Sequence, residues 1–373
     1  MSILMTESSP NWGGQELRLV REAQWLIQRG YRVYVACPPG GELARRLPKY
    51  GIPFFEIDFR ITDASDLLRI ARLCRADIIH TRGSRDTTCA LWARAHGFCV
   101  IRSRHMTVPA KPSLAQRWLY RHGSERLVAA SESIRRGLVA QMSVPAETID
   151  VVGEGADLEE YHPDVDGAEV RREWGISPSQ PLFGVIGMLR GEKGQRRFVN
   201  AAMELLRIVP RARFVIVGDG NTPYAEKLRA KVHRLFPGPN GSLFLAGYRE
   251  DVPQVTAALD VLVVPSIQEA QTMVIPQAFA MAKPVIATRV GGIPEIVRDG
   301  ETGVLVEPND DLQLATAMLS LLENPTRARR LGATAHAYAR QSLSFDTKMR
   351  ALIASYRAAL DQHAEITPSP AVA

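Results

Sequence analysis

The sequence is short of cysteine, of aromatics and of long apolar runs, and each shortage removes a class of protein. Four of its 373 residues are cysteine (Cys37, Cys74, Cys89 and Cys99), and none form a CxxC pair. That pattern argues against a disulfide framework or a zinc site and for reduced thiols buried in the core of a cytoplasmic protein. No apolar stretch is long enough to span a bilayer. Met1–Trp12 lacks the basic segment and apolar run of a signal peptide, so none is expected. The dinucleotide fingerprint GxGxxG and the P-loop spacing are both missing, which disfavours a dehydrogenase and an ATPase. No aromatic and basic module supports nucleic-acid binding.

What remains is ordinary globular material. Hydrophobic residues make up 46% and charged residues 23%, which excludes wholesale disorder. Lys and Arg number 46 against 40 Asp and Glu, a net charge of +6. That mild excess favours anionic partners such as nucleotides, phosphates or an acidic membrane surface. The length suits two domains.

Short β-rich runs alternate with amphipathic segments. Ser2–Thr6, Arg32–Cys37, Asp77–His80, Val100–Arg102 and Leu127–Ala130 read as strands, with helices around Gln15–Gln28, Asp66–Leu73, Ser84–His96 and Glu132–Gln141. Leu17, Val20, Ala23 and Ile27 share one helical face. A second series follows the polar stretch Pro163–Pro181. Its strands are Leu182–Gly187, Arg213–Val217, Ser242–Leu245, Val261–Pro265, Pro284–Ala287 and Gly303–Val306. Its helices lie near Gly194–Val209, Tyr224–Leu235, Thr272–Ala282 and Leu312–Leu322, with Phe198, Ala201, Leu205 and Val209 as a buried stripe. Such alternation predicts parallel sheets covered on both faces. The expected division is residues 1–163, residues 164–345, a helix over 346–361 and a frayed tail over 362–373.

In open α/β sheets ligands gather at the carboxyl ends of the strands, and four segments sit there. Asn11-Trp12-Gly13-Gly14-Gln15-Glu16 opens the first helix; its glycines allow close approach, and the helix start offers free N–H groups. A plain tight turn would use the same residues. Gly187–Gly194 carries Arg190 and Lys193, a fork and a point charge able to neutralise a diphosphate, or else two solvated cations. Gly218-Asp219-Gly220 follows a strand and is uninformative by itself. Pro265–Ala278 is the most informative. It places Glu269 in a strand-to-helix loop and Gln277 in the helix expected from Thr272, with the N–H groups of Gln271, Thr272, Met273 and Val274 as its free first turn. Read as structure only, Glu269 is a surface acid near a helix start.

In order and spacing these segments resemble the family-4 retaining glycosyltransferases of the GT-B fold over nearly the whole chain. Gly13–Gly30 and Arg29-Gly30-Tyr31-Arg32-Val33 resemble that family's first loop and helix, Asp77-Ile78-Ile79-His80 resembles one of its strands, and Val128–Ile134 with Ala130-Ser131 resembles a further segment. Gly187–Gly194 and Val215–Gly220 are similar to its glycine turns, and Glu269 to Gln277 falls on its E-x7-E motif. Ala282–Thr288 and Gly291–Val297 complete the likeness.

The resemblance implies two doubly wound Rossmann-like domains facing across a cleft, the first for the acceptor and the second for the donor. It implies transfer of a sugar from a nucleotide-diphosphate sugar to an acceptor hydroxyl, with retention and without a metal or other cofactor. By that likeness Glu269 and His105 lie near the reacting sugar. Gly14, Arg190, Lys193, Gly218, Ala270, Gln271, Thr272, Met273, Val274 and Gln277 would line the donor site. Gln277 stands where the family has a second Glu, Met188 where it has Arg, Ala270 and Thr272 where glycine is common, and Arg82 where a second histidine is common. An amide still exchanges hydrogen bonds with a diol, but carries no charge.

The acceptor is expected to be a glycan or a lipid-linked or lipopolysaccharide-type molecule. Lys111–His122, basic and aromatic, suits an interfacial helix giving peripheral membrane contact; the alternative is a solvated helix with Leu114 and Trp118 turned to the core. A nucleotide-sugar epimerase of the same architecture and a non-catalytic nucleotide-sugar-binding protein are the competing readings.

Overall fold

The computed structural model describes residues 1–107, 112–238 and 241–366. Lys111 of the basic segment and the tail from 367 lie outside the described residues. The chain divides into two compact units, Met1–Gly153 with the C-terminal helix from Lys348, and Glu154–Thr347. The second unit thus begins before the polar stretch at Pro163. Its outer strands of chain are sewn together there: Ala156 N–H donates to Leu343 O (2.8 Å) and Phe345 N–H to Ala156 O (2.7 Å), while Tyr161 is buried in that unit's core.

The first unit holds seven strands: β1 (Ser2–Thr6), β2 (Arg32–Cys37), β3 (Phe54–Glu56), β4 (Ile78–Thr81), β5 (Cys99–Arg104), β6 (Arg126–Ala129) and β7 (Ile149–Val151). They pair in the order β3-β2-β1-β4-β5-β6-β7, all parallel. The second holds six: β8 (Leu182–Ile186), β9 (Arg213–Val217), β10 (Leu243–Gly247), β11 (Val261–Val264), β12 (Val285–Thr288) and β13 (Val304–Val306). Their order is β10-β9-β8-β11-β12-β13, again all parallel. Both are doubly wound α/β sheets.

The strands read as continuous apolar runs because both faces are covered. Along β9, Phe214 and Ile216 enter one core and Val215 and Val217 the other. Val261 and Val263 of β11 likewise part from Leu262 and Val264, as alternating side chains must. Edge strands β3 and β7, three residues each, are too short to show this pattern in sequence.

In the first helix, Gly14–Gln28, Leu19, Val20, Ala23 and Leu26 are buried, whereas Ile27 is exposed. The apolar stripe therefore lies partly off the expected face. Its place is taken by Arg18 and Glu22, both buried. In helix Gln195–Ile208 the expected Phe198, Ala201 and Leu205 are buried. Helix Pro325–Ser342 has no obvious apolar stripe because its buried face is Leu331, Gly332, Ala335 and Ala339. Helix Phe345–Ile366 comes last in the chain, yet from Lys348 it belongs to the first unit. There Tyr356 OH meets His80 Nδ1 (2.8 Å), Ser355 donates to Asp150 (2.5 Å), and His363 Nδ1 lies 3.1 Å from Glu125.

Among the described residues no helix is long and apolar enough to cross a membrane. All four cysteines are unpaired and buried, and burial pushes their thiols up.

Candidate active site

The second unit brings four loops together at the carboxyl ends of β8, β9, β11 and β12. The turn after β8 is fixed to the loop after β9 by Leu189 N–H to Asp219 O (3.0 Å), and to the loop after β11 by Ile267 N–H to Glu192 O (2.8 Å). Lys193 and Glu269, 76 residues apart in sequence, meet as an ion pair of 2.6 Å. Ser266 Oγ donates to the same Glu269 oxygen (3.3 Å). Glu269 is buried, so this carboxylate is held by two donors in a partly dry setting.

Two glycines let these loops approach. Gly194 follows Lys193 at φ +69°, and a Cβ there would stand 1.8 Å from Pro265 O. Gly291, in the loop after β12, has φ +53°, and a Cβ would stand 1.6 Å from Glu269 O. Any side chain at either position would push the Glu269 loop away from its neighbours.

The remaining expected donor residues are placed unequally. Gly218 ends β9 with its N–H on Gly247 O (2.7 Å). Arg190 is exposed and only loosely paired with Glu192 at 3.9 Å. Lys193 is not the unengaged cation the sequence suggests, since Glu269 occupies it. The helix after β11 starts at Val274 and ends at Ala280. Gln271, Thr272 and Met273 thus precede it rather than forming its first turn. The Gln271 side chain accepts from Glu154 N–H. Ala270, Thr272 and Gln277 are buried. Gln277 N–H donates to Met273 O (3.2 Å).

His105 and Gly14 belong to the first unit. Gly14 is exposed at the first turn of its helix, after the N-cap Gly13. His105 follows β5 and sits in a charged cluster that the sequence reading did not assemble. Arg18 donates to Glu22 (2.6 Å), and Arg82 pairs with the other Glu22 oxygen. Arg18 Nη1 lies 3.3 Å from His105 Nδ1, and Arg82 Nη1 3.4 Å from His105 Nε2. Burial works against the Glu22 carboxylate, but the Arg82 and Arg18 charges prevail and hold it well below the usual range. Burial, then Arg18 and Arg82, push His105 well below its ordinary value, so its imidazole is neutral. Burial and Arg82 lower His80 to about 3, leaving a neutral ring between Tyr356 OH and Ser103 Oγ (2.6 Å). The available signal was Arg18 and Glu22, a charged i, i+4 pair set among the buried Leu19, Val20, Ala23 and Leu26 of the first helix.

Among the described residues, Cys99, Glu125 and His363 form a group with metal-ligand chemistry. Glu125 is already engaged by Val100 N–H (2.7 Å) and Arg94 (3.1 Å), and His363 Nε2 by Gly97 O (3.1 Å). The group anchors the last helix.

Helix Leu114–His122 is closed by a capping box between Ser113 and Gln116. Leu114 and Trp118 are exposed, not turned to the core.

Comparison with known proteins agrees with this geometry. The model of Glycosyltransferase Family 4 matches residues 12–160, and that of Glycosyl transferases group 1 matches residues 180–324. D-inositol 3-phosphate glycosyltransferase of Segniliparus rotundus is 33% identical over 239 residues, which is 64% of this chain and 53% of that protein. The chain thus spans about half the length of these curated relatives. An Escherichia coli UDP-Gal:alpha-D-GlcNAc-diphosphoundecaprenol alpha-1,3-galactosyltransferase is 24% identical over 345 residues, 87% of this chain and 88% of its own. A glycosyltransferase from Rickettsia africae superposes with a TM-score of 0.86 at 20% identity, covering 96% of this chain and 98% of the other. Anabaena HepE in complex with UDP-glucose gives 0.82 at 22%, covering 96% and 100%. Matching family models on both units, in the expected order on two parallel sheets, place the chain among the family-4 glycosyltransferases of the GT-B fold.

Proposed function

We propose that the protein transfers a sugar from a nucleotide-diphosphate sugar to an acceptor hydroxyl, with retained configuration, in the assembly of a cell-surface glycan or lipopolysaccharide. The observation that carries this reading is the Lys193–Glu269 pair, held in place by Gly194 and Gly291 at the carboxyl ends of the second sheet. Family membership supports the reaction class, and HepE, of the same fold, is a complex with UDP-glucose.

Cleaving a sugar–phosphate bond leaves charge on the diphosphate, so the main task is stabilising a leaving group. Lys193 and the exposed Arg190 supply cations at that turn, without calling on a metal. An arriving diphosphate competes with Glu269 for Lys193 Nζ, which frees the carboxylate to accept from sugar hydroxyls. Glu269 then orients the sugar and stabilises positive charge at the reacting carbon, rather than attacking it. Buried Gln277 offers its amide to the ribose diol. His105, held neutral, exchanges hydrogen bonds with hydroxyls without adding charge.

The acceptor reading rests on the helix Leu114–His122. Its exposed Leu114 and Trp118, beside Arg117 and Arg121, fit a peripheral contact with a membrane carrying a lipid-linked acceptor.

The test is product analysis with a panel of nucleotide sugars and crude membrane acceptors. Glu269→Ala is expected to abolish transfer while the circular dichroism spectrum stays native; turnover near wild type would remove the proposed site. An isomerised nucleotide sugar formed without acceptor would identify an epimerase instead.

A further inference from the structure

At the amino ends of β5, β6 and β7 the first unit holds a pocket of about 120 Å³. Substrates of an open sheet gather at the other end of the strands. Every residue lining this pocket belongs to the first unit. Tyr120 lies in the last turn of helix Leu114–His122, Ser124 and Glu125 lead into β6, and Gln362 comes from the last helix. Arg121 and His122, which also line it, are exposed, so the pocket opens to solvent.

Two buried hydroxyls face this space. Tyr120 and Ser124 are 4% and 9% exposed, and neither Tyr120 Oη nor Ser124 Oγ has a hydrogen-bond partner among the described residues. Packing explains the Tyr120 ring, whose centroid lies 3.8 Å from the Arg102 guanidinium. A phenylalanine would stack there too and bury no unmatched hydroxyl. The charges in the lining are mostly of one sign: Arg94, Arg121 and Arg126 against the single carboxylate of Glu125. That carboxylate is committed, one oxygen to Arg94 Nε (3.1 Å) and the other to Val100 N–H (2.7 Å). Arg126 is matched by Asp150 through two contacts of 2.8 Å. Arg94 spends only its Nε on Glu125, and Arg121 has no ion-pair partner among the described residues. Cations in a helix's last turn suit its negative end, which accounts for Arg121 and His122 but not for the hidden hydroxyls. The pocket thus offers N–H and O–H donors and, among the described residues, no uncommitted carboxylate. Such a lining suits an acceptor-rich anion.

We infer that this pocket binds a phosphate group, as an effector site at the opposite end of the first sheet from its substrate end. Tyr120 and Ser124 donate to its oxygens while Arg94 and Arg121 supply charge. Four donor side chains suit the several oxygens of a phosphate better than the two of a carboxylate. Gln362 lines the same pocket, and its neighbour His363 already holds Glu125 (3.1 Å). Bound phosphate therefore tightens the docking of the last helix on the first unit. The inference does not rest on the transferase reading.

The experiment follows hydrogen–deuterium exchange in the full-length protein, in peptides covering Tyr120–Arg126 and Gln362. Inorganic phosphate is titrated in, with sodium chloride of equal ionic strength as control and saturating UDP to fill the proposed nucleotide site. Exchange in both peptides is expected to slow and to saturate with phosphate. Tyr120→Phe keeps the ring and loses the donor, so its phosphate affinity should fall about tenfold. Its unfolding midpoint without phosphate should equal or exceed that of wild type. Exchange unmoved by phosphate, or slowed equally by chloride, overturns the inference, as does unchanged affinity in Tyr120→Phe. A lower midpoint of that variant without phosphate would mark a hydroxyl held by structural water, and would overturn it too. The wild-type titration decides even if the variant fails to fold. Given saturation, cosedimentation with phosphatidic acid vesicles, against phosphatidylcholine, identifies the source. Vesicle binding weakened by Tyr120→Phe assigns a lipid headgroup, and binding unaffected by it assigns free phosphate.

Discussion

The two units shape the carboxyl ends of their parallel sheets by opposite means. The second is built by backbone: Gly194 and Gly291 let loops touch, and the Glu269 carboxylate is presented by that contact. The first is built by side chains: Arg18, Glu22, Arg82 and His105 form a connected charged network inside the fold. A contact between backbones tolerates no added side chain, whereas a buried charged network tolerates no unpaired charge. The contrast also places pH sensitivity in the first unit.

The largest effect is expected at Gly291. Gly291→Ala adds a Cβ 1.6 Å from a carbonyl at positive φ, and should cost on the order of 5 kcal/mol or prevent folding, as urea unfolding will show. Tolerance of alanine there would dissolve the distinction between the units. Next comes Glu22→Gln, nearly isosteric, which leaves two buried guanidiniums without their shared carboxylate. A loss of about 3–5 kcal/mol is expected, and a loss under 1 kcal/mol would mean that charge does not organise this cluster.

Glu7, at the end of β1, sharpens the pH contrast. Burial, then Asp86, push its carboxyl up to about 7 from 4.5. The folded state therefore keeps a proton that the unfolded chain releases, and stability falls as pH rises between those values. The expected fall is about 3 kcal/mol. Glu7→Gln should remove that slope, so its unfolding free energy relative to wild type should rise steadily from pH 4.5 to 7.5; parallel profiles would contradict the assignment. The smallest effect is at the exposed Trp118. Trp118→Ser should change stability by less than about 0.5 kcal/mol while reducing sedimentation with anionic vesicles. Unaltered vesicle binding would leave that helix without its proposed role.

The same contrast explains what the sequence could tell. Strands such as Arg32–Cys37 and Arg213–Val217 were legible because, after a leading arginine, their residues are apolar, aromatic or β-branched and mostly buried. The loop of Glu269 was legible because it follows an apolar strand and carries Glu269 and Gln277 within one short segment. The Lys193–Glu269 contact was not, because it joins two distant turns through folding of the whole sheet. The contacts of Arg18 and Arg82 with His105 escaped for the same reason, and Arg18 also because a charged residue on an amphipathic helix is ordinarily solvated. Helix Pro325–Ser342 escaped because it packs through small residues; a Cβ on Gly332 would stand 2.1 Å from Ala282 O.

The last helix carries a consequence for synthesis. All seven strands of the first sheet have been made by Val151, yet the phenol of Tyr356 that meets His80 arrives only after the entire second unit. During translation the first unit therefore waits with a polar slot uncovered, and the second is free to mature ahead of it. Ribosome-bound chains stalled when residue 347 has just emerged should accordingly show a protease-resistant second unit beside a still-cleavable first one.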